Sequence, residues 1–381
     1  MAHSGEAGAM PVIAGPTAAP FQSPGRAEFR PARRLVRPAL AHRAGAARQW
    51  PMNAPAGRGR AREGEAFAAL DLGTNNCRLL VGAASRGGFR IVESFSRTVR
   101  LGEGLAAHGR LAEPAMDRAL EALRTCAERL ARRQPRAVRA IATEACRQAE
   151  NGPAFIARVR AETGLAFRII SPREEAELAV ESCVPLLQGG ARRVLLFDIG
   201  GGSTELAWVR LGGERPAFLG TLSLPWGVVS LAEHFGAAAN TEAGFVAMQE
   251  TVADRLRGFE EVHRIGQEIR QGGVRLLGTS GTVTTLAALA LGLSRYSRHA
   301  VDGAVLSAGQ VERALAEIRA LGPAGLAQHP CIGADRAEFV LPGCAAFAAI
   351  RGVWPAPELI VADRGLREGL LMRMIREARQ R

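Results

Sequence analysis

The feature that most constrains the fold is a short pattern that occurs twice, 127 residues apart. The segments Ala69-Leu70-Asp71-Leu72-Gly73-Thr74 and Leu196-Phe197-Asp198-Ile199-Gly200-Gly201 each place an Asp-x-Gly turn after an apolar run. A second apolar run follows each turn, at residues 79–81 and 206–209. Short apolar runs bounded by turn residues are typical of buried strands. The repeat therefore predicts two similar halves whose turns converge on a common cleft.

Helix and strand patterns alternate along the rest of the chain. The predicted elements are a helix over residues 113–133, a strand over 137–142, a helix over 152–163, a strand over 167–170, a helix over 172–187, a strand over 274–277 and a helix over 282–291. Such alternation predicts an α/β fold with some parallel sheet. We place the first domain at residues 66–187 and the second at residues 188–381.

The first 65 residues have a different composition from the rest. They are rich in Ala, Arg, Gly and Pro, and ten arginines against four glutamates give them half of the net charge of +12. We predict disorder here. A flexible tail and a start codon assigned too early are the favoured explanations, ahead of an organelle transit peptide. The remaining charge is scattered and no recognition motif accompanies it, so nucleic acid is not expected as the main partner.

Several classes of protein are excluded by what the sequence lacks. There is no lysine, so all 49 Lys and Arg residues are arginine. Schiff-base chemistry, the Walker A motif and the strand lysine of protein kinases are therefore excluded. No apolar run reaches the ~20 residues of a membrane-spanning helix. The six cysteines show no metal-binding spacing, so we expect free thiols in a reducing cytoplasm.

The segment from Asp198 to Glu205 is the best candidate for phosphate binding. Three consecutive glycines let backbone N–H groups approach an anion without interference from Cβ. A plain hairpin turn needs only one glycine, and the acids on either side are oxygen ligands suited to Mg²⁺ or Mn²⁺. The predicted phosphate-binding residues are Gly200, Gly201, Gly202 and Ser203, and the predicted metal ligands are Asp198 and Glu205.

Two further segments are candidates for binding phosphate. The first turn repeats the second, and segment 278–285 places glycines and hydroxyls where a helix begins, a position that favours anions. Simple capping of that helix by Ser280 or Thr282 is an equal alternative. The predicted residues are Asp71, Gly73, Thr74 and Asn75 in the first turn, and Gly278, Ser280 and Gly281 in the later segment.

One carboxylate and one arginine are candidates for chemistry. Ser171 and Glu174 predict a capping box at the start of a helix, which leaves Glu175 without a structural explanation. A carboxylate that faces a phosphate site can activate water as a general base, although the residues alone leave this assignment open. Arg147 follows a predicted strand, where active-site loops of α/β folds occur. It is favoured over Arg78 and Arg364 as a phosphate ligand.

Six motifs, in this order, resemble the exopolyphosphatase and guanosine pentaphosphate phosphohydrolase family. They are Asp71-Leu72-Gly73-Thr74-Asn75, Ala142-Thr143-Glu144-Ala145-Cys146-Arg147, Glu174-Glu175-Ala176, Asp198 through Leu206, Gly278-Thr279-Ser280-Gly281-Thr282, and Asp363-Arg364-Gly365-Leu366-Arg367-Glu368-Gly369. The resemblance implies two ribonuclease-H-like domains of the actin, hexokinase and Hsp70 superfamily, with the active site in the interdomain cleft. It also implies that Glu175 is the water-activating base, that Arg147 binds phosphate, that the first turn binds phosphate, and that the second turn binds phosphate and metal.

The activity implied by the resemblance is Mg²⁺-dependent release of orthophosphate from inorganic polyphosphate or guanosine pentaphosphate (pppGpp). Longer members carry an additional helical domain of the HD type, so processive hydrolysis of long polymers is not implied here. Asn76 and Cys77 depart from the usual family pattern, which leaves the phosphate contact intact and alters the rim of the site. An ATP-dependent kinase or ATPase and a non-catalytic alarmone-binding regulator are the alternatives. A homodimer is compatible with the resemblance, and the preference between the two substrates is open.

Overall fold

The structure, a computed structural model, describes residues 61–187, 191–213 and 216–380. All of these residues lie in one compact unit. Residues 1–60 of the predicted tail lie outside the described residues. Residues 61–65, which the prediction also assigned to the tail, are hydrogen-bonded to the folded chain: Ala61 N donates to Ala378 O at 2.8 Å, and Gly64 N donates to Ala84 O at 2.9 Å.

The described strands form two sheets. They are β1 Ala66–Leu72, β2 Asn76–Ser85, β3 Gly88–Thr98, β4 Ala137–Ala142, β5 Arg168–Ile169, β6 Arg193–Ile199, β7 Thr204–Arg210, β8 Ala217–Leu224, β9 Val274–Thr279, β10 Val305–Ser307 and β11 Glu358–Ala362. The helices are α1 Leu105–His108, α2 Glu113–Arg133, α3 Glu144–Gln148, α4 Gly152–Thr163, α5 Pro172–Cys183, α6 Val228–Phe235, α7 Glu242–His263, α8 Ile265–Gln271, α9 Gly281–Ala290, α10 Arg298–Val301, α11 Ala308–Gln328, α12 Ala334–Val353 and α13 Leu366–Gln380. Short 3₁₀ turns follow α5 and α6, at Val184–Leu186 and Gly236–Asn240.

Both sheets have the same topology. The order of the first is β3-β2-β1-β4-β5, in which β1, β2 and β3 are antiparallel neighbours while β4 and β5 run parallel to β1. The second repeats this order as β8-β7-β6-β9-β11, and β10 adds an antiparallel edge strand. This repeated mixed sheet confirms the predicted two-part, actin-like α/β fold.

Two helices lie between the sheets and cross each other. Helix α13 packs on β1 and β2, whereas α5 packs on β7 and β8. They approach closely at Gly369, where a Cβ would lie 2.2 Å from the carbonyl oxygen of Leu178. One apolar core joins both sheets through these helices, as Ala69 and Leu196 both belong to it. The predicted division between residues 187 and 188 stays a prediction, because both halves belong to one compact unit.

The start and the end of α5 differ from the predictions for physical reasons. Ser171 caps the helix as predicted, because its Oγ accepts a hydrogen bond from Glu174 N at 3.2 Å. The reciprocal half of the capping box is absent, since the Glu174 carboxylate pairs with Arg168. The helix ends at Cys183 and not at residue 187, because Pro185 has no N–H to continue the ladder.

Two other sequence-based predictions concern the whole chain. No helix among the described residues is both long and apolar enough to cross a membrane. The six cysteines are buried and unpaired, as predicted.

Candidate active site

The first Asp-x-Gly turn joins β1 to β2, and residues after β3 fix its backbone. Gly73 N donates across the turn to Asn76 O at 2.9 Å, and Thr74 O accepts from Gly102 N at 2.9 Å. The C=O of one residue and the N–H of the next point to opposite sides of a trans peptide. The anchored carbonyl of Thr74 therefore directs the N–H of Asn75 away from Gly102 and into the cleft.

The second turn joins β6 to β7 and has the same backbone arrangement. Gly200 N donates to Ser203 O at 2.9 Å. The start of α6 holds the loop carbonyls: Val228 N donates to Gly200 O at 2.9 Å, and Val229 N donates to Gly201 O at 2.8 Å. The glycine loop is thus fixed from behind by a helix N-terminus.

This anchoring leaves the N–H groups of the second loop available. Ser230 Oγ donates to Gly202 O at 3.2 Å, so three successive carbonyls face α6. By the trans-peptide rule, the N–H groups of Gly201, Gly202 and Ser203 point the other way. Within the described residues, none of these three groups donates a hydrogen bond. Oriented backbone donors of this kind form a concave site for an anion.

The two loops touch each other across the floor of the cleft. A Cβ on Gly201 would lie 3.1 Å from Thr74 Cβ and 3.3 Å from Asn75 N. A Cβ on Gly202 would lie 2.6 Å from Thr74 Oγ1 and 3.2 Å from Glu144 Cγ. Neither glycine has a positive φ, so the structure requires them for close approach and not for an unusual backbone conformation.

Most of the predicted residues line one cavity of about 640 Å³ between the two halves. Those that line it are Asp71, Gly73, Thr74, Asn75, Glu175, Asp198, Gly200, Gly201, Gly202, Ser203, Ser280 and Gly281. Arg147, Glu205 and Gly278 are not among the lining residues. The repeated turns and the start of α5 thus converge on one site, although they are far apart in the sequence.

Packing explains the positions of two residues that do not line the cavity. Gly278 lies against Phe197, since a Cβ there would be 2.5 Å from the aromatic ring. Glu205 is buried behind the second loop, where its Oε1 accepts hydrogen bonds from Ser203 Oγ at 2.6 Å and Ser223 Oγ at 3.1 Å. Glu205 therefore orients a hydroxyl of the loop in addition to carrying charge.

Arg147 connects the strand end to the candidate base. Its Nη1 donates to Ile170 O at 2.7 Å and to Glu175 Oε2 at 3.2 Å, and its Nη2 pairs with Glu144. Protein groups therefore engage this guanidinium on three sides. The role of Arg147 in binding phosphate stays a prediction, while its contact with Glu175 was not foreseen.

Four carboxyl groups share this poorly solvated region, and each has a raised pKa. Burial is the main cause for Glu175, whose pKa is raised further by Glu205 and lowered by Arg147. Burial raises the pKa of Asp198 to about 7 and that of Glu205 to about 8, and it also raises the pKa of Asp71. Burial and mutual repulsion disfavour the ionised forms, so the region favours a cation.

The donor atoms are compatible with a hard divalent cation. Within the described part of the chain, Asp71 Oδ1 is buried and has no hydrogen-bond partner, and both Asp71 and Asp198 line the cavity. In the part of the chain that the structure describes, no three His, Cys, Asp or Glu side chains are grouped closely enough to hold one metal ion. Mg²⁺ commonly keeps several waters and uses one or two carboxylates together with substrate phosphates. The residues present fit that mode of binding.

Five arginines among the described residues line the cavity, and they are Arg78, Arg298, Arg336, Arg364 and Arg367. Arg367, at the start of α13, lines the cavity beside Arg78. Neither forms an ion pair with a carboxylate of the described residues. Burial lowers the pKa of Arg367, and Arg78 contributes repulsion in the same direction. Arg78 is a candidate because of its position in the sequence. Arg367 lies within the last of the six motifs, and that motif is the sequence signal that points to it.

Two further residues of the cavity were missed. Glu144 is buried, lines the cavity and pairs with Arg147. Tyr296 also lines it, and its hydroxyl donates to Asp363 Oδ2 at 2.7 Å. Glu144 lies within the second motif, whereas nothing in the local sequence distinguished Tyr296.

Known proteins resemble this chain over most of its length. A model of the Ppx/GppA phosphatase family matches residues 80–378. A Ppx/GppA family member from Aquifex aeolicus is 28% identical, with a TM-score of 0.66 and coverage of 82% of this chain and 98% of that chain. A solved exopolyphosphatase-like protein is 26% identical, with a TM-score of 0.73 and the same 82% and 98% coverage.

A more distant structure agrees in fold. An exopolyphosphatase from Cytophaga hutchinsonii is 23% identical, with a TM-score of 0.72 over 82% of this chain and 98% of that chain. At this level of identity the likeness supports the architecture alone.

Proposed function

Because this chain belongs to the Ppx/GppA phosphatase family, we propose that it releases orthophosphate from the end of inorganic polyphosphate, from pppGpp, or from both. The family relation makes it a hydrolase of phosphate compounds. The observation that supports the finer proposal is the convergence of both glycine-containing turns and Glu175 on one cavity. A chain of phosphates is the ligand that suits two adjacent backbone anion sites flanked by Arg78 and Arg367, which form no ion pair within the described residues.

The loops would bind and orient the terminal phosphates. The free N–H groups of Gly201, Gly202 and Ser203 point away from α6, and the two glycines lie against Thr74 and Asn75 of the first loop. Fixed donors stabilise the charge that develops on the phosphoryl oxygens, without reorganising during the reaction. Arg78 and Arg367 add positive charge to the same cavity.

Glu175 would accept the proton of the attacking water. The contact between Glu175 Oε2 and Arg147 Nη1, at 3.2 Å, favours the ionised carboxylate that a base requires. Burial opposes this effect and raises the pKa of Glu175, and the negative charge of Glu205, Asp198 and Asp71 raises it further. A carboxylate that lies beside an arginine and faces the phosphate site suits general base catalysis.

Mg²⁺ or Mn²⁺ would be held by Asp198, as predicted, together with Asp71. When bound, the ion would neutralise carboxylate charge and polarise phosphate oxygens. Glu205, the second predicted ligand, would act from behind the loop, where it already holds Ser203.

The test is phosphate release by the purified protein from polyphosphate, pppGpp and ATP in parallel, with and without EDTA. Glu175→Gln should lower kcat on the order of 10³-fold while leaving KM nearly unchanged. Glu174→Gln is the matched control, since Glu174 has the same charge on the same helix but pairs with Arg168. It should retain wild-type turnover.

Each outcome decides between functions. Release from polyphosphate or pppGpp that requires metal and Glu175 supports the proposal and identifies the substrate. Release from ATP alone supports the kinase or ATPase alternative. A folded protein that binds pppGpp without releasing phosphate from any of the three compounds supports the regulator. Equal turnover in Glu175→Gln and Glu174→Gln contradicts the assignment of the base.

A further inference from the structure

The residues that hold the first loop also touch the opposite half of the molecule. We call residues 99–104, which follow β3, the strap. On its inner side, Val99 N and Arg100 N both donate to Asn75 O, at 2.8 and 3.1 Å. Gly102 N donates to Thr74 O at 2.9 Å. The strap therefore sets the positions of the two first-loop residues that face the glycines of the second loop.

On its outer side, the strap contacts two helices of the second half. The Arg100 guanidinium pairs with Glu338 of α12 and lies 5.8 Å from the centroid of the Phe339 ring. Gly104 N donates to Glu233 Oε1 of α6 at 2.9 Å. Phe339 lines the cavity, so the contacts lie at the entrance to the cleft, next to the space a substrate would occupy.

The contact with α6 links the supports of the two loops. The N-terminus of α6 holds the carbonyls of Gly200 and Gly201, and the strap holds those of Thr74 and Asn75. The hydrogen bond from Gly104 to Glu233 joins one support to the other. A change in separation of the halves at this entrance therefore acts directly on the backbone of the first loop.

The conformation of Arg100 indicates that its position matters. Its φ is 48°, a left-handed conformation that is unfavourable for a residue other than glycine. Such conformations persist where surrounding contacts determine them. Arg118 of α2 supplies one, since its Nε donates to Val99 O at 3.0 Å. Arg118 of the first half therefore holds the strap in place, while Arg100 contacts Glu338 of the second half.

We propose that the strap couples closure of the cleft to the geometry of the first loop, with Arg100 as the positioning residue. Contact between Arg100 and Glu338 stabilises the closed arrangement, in which the N–H of Asn75 faces the second loop. Loss of that contact loosens the strap and separates the two anion sites. The expected effect on catalysis rests on the proposed function, whereas the expected effect on the backbone does not.

The chain contains a closely matched control. Arg97 forms an ion pair with Glu121 at 3.1 Å and lies 5.6 Å from the Phe95 ring centroid. The exposed fractions of the Arg97 and Arg100 side chains are similar, at 40% and 44%. The Arg97 contacts stay within the first half, while those of Arg100 cross the entrance. Comparing the two arginines isolates the bridging between halves.

The first measurement is amide hydrogen exchange in the peptides that contain residues 73–76 and 99–104. In Arg100→Gln, both segments should exchange faster than in the wild type, whereas Arg97→Gln should leave them unchanged. Glu338→Gln should reproduce Arg100→Gln, and the double variant should add little, since both changes remove one contact. Melting temperatures close to that of the wild type confirm that each variant is folded.

The second measurement is phosphate release from polyphosphate or pppGpp. Substrate affinity scales with the population of the competent state. Because an exposed ion pair and a ring contact contribute modestly, KM should rise about 3- to 10-fold in Arg100→Gln. Saturated kcat should be unchanged, and Arg97→Gln should match the wild type. This division of the effect between KM and kcat distinguishes weaker closure from general damage to the site.

The outcomes of the two measurements are separable. Equal exchange in Arg100→Gln and Arg97→Gln overturns the proposal, as does an unchanged KM in Arg100→Gln. If the wild type releases phosphate from neither compound, the proposed function fails, and the exchange comparison still decides whether the strap couples the halves.

Discussion

The two halves of the molecule build the same backbone turn with different side chains. In each, the turn glycine donates to the carbonyl oxygen three residues later at 2.9 Å, from Gly73 to Asn76 and from Gly200 to Ser203. In each, the segment after the third strand holds the loop carbonyls. The residues opposite the two aspartates on the neighbouring strands differ. Arg78 of β2 lies opposite Asp71, whereas Glu205 of β7 lies opposite Asp198.

This difference indicates that two copies of one structural unit have different roles in binding the substrate and the cation. The first half combines an aspartate with a cation and fills its turn with Thr74 and Asn75. The second half combines two acids and leaves its turn free of side chains at the glycines. The first half is therefore suited to attract phosphate, and the second to approach it closely and to hold a cation.

Among the predictions that compare the two halves, the largest expected loss of activity concerns the glycines that support each turn. In the second half, a Cβ on Gly227 would lie 2.5 Å from the backbone carbonyl of Gly201. In the first half, a Cβ on Gly102 would lie 2.3 Å from Thr74 Cγ2, a methyl group that can rotate away. Gly227→Ala should lower kcat/KM about 100-fold, since displacements of about 1 Å have such effects, and Gly102→Ala should lower it less than about 10-fold.

A second substitution sharpens this comparison. Thr74→Ser removes the methyl group and keeps the hydroxyl, so it should restore activity to Gly102→Ala and not to Gly227→Ala. Steady-state phosphate release from polyphosphate measures both. The contrasting result is a double variant, Gly102→Ala with Thr74→Ser, whose activity is as low as that of Gly227→Ala. That result would contradict the distinction between a side-chain contact at Gly102 and a backbone contact at Gly227.

The acid pair of the second half should make stability depend on pH in metal-free solution. The folded-state pKa values of Asp198 and Glu205 are raised to about 7 and about 8, from ordinary values of 3.8 and 4.5. At pH values between the ordinary and the raised pKa of each group, the folded state binds more protons than the unfolded state. The free energy of unfolding therefore falls as pH rises through this range. In EDTA, we expect a melting temperature lower at pH 8.5 than at pH 5.5 by on the order of 5 °C.

Equivalent substitutions in the two halves should act in opposite directions. At pH 8.5 in EDTA, Glu205→Gln removes a destabilising buried charge and should raise the melting temperature. Arg78→Gln removes the cation that opposes Asp71 and should lower it, since Arg78 lowers the pKa of Asp71. Differential scanning fluorimetry measures both, and shifts of the same sign would contradict the proposed difference in charge.

The smallest expected effect concerns the helices that follow the central parallel strands. Ser280 caps α9, because its Oγ accepts from Val283 N at 3.3 Å, whereas Thr143 makes no such contact at α3. Ser280→Ala should lower the free energy of unfolding by about 1 kcal/mol, and Thr143→Ala by less. Ser280→Gly should be more stable than Ser280→Ala, since the φ of Ser280 is 133° and glycine tolerates it.

Urea denaturation measures the capping effect, and phosphate release tests the second role left open for Ser280. An increased KM in Ser280→Gly with stability retained would mean that the hydroxyl also contacts substrate. Equal destabilisation of the glycine and alanine variants would show that the unusual φ of Ser280 contributes nothing measurable to stability, whereas wild-type stability in both variants would show that the cap contributes nothing.

Several elements could be predicted closely from the sequence. The predicted helices over residues 113–133 and 152–163 and the predicted strand over 137–142 have the observed bounds. Their ends are set by local signals, since Gly164 follows one helix in a left-handed conformation and a proline is the second residue of both helices. The glycine turns were equally visible, because their backbone requirement is a property of a few consecutive residues.

Other features required the folded chain. The sequence placed Glu174 in a capping box, and the structure pairs it with Arg168 on a neighbouring strand. It marked Arg147 as a phosphate ligand, and the structure shows its contacts with Glu144 and Glu175. Such partners lie on different elements, so no local sequence pattern predicts which of several carboxylates an arginine will contact.

The sequence by itself determined that there are two strand–turn–strand units, where their glycines lie and that α5 begins at a serine cap. These depend on residue type and on periods of two and 3.6 residues, which are local. Only the tertiary structure decided that α5 and α13 cross between the sheets, that Glu205 lies behind its loop, and that Arg100 bridges the entrance. Those arrangements follow from packing between distant segments, where burial and charge are set by the whole fold.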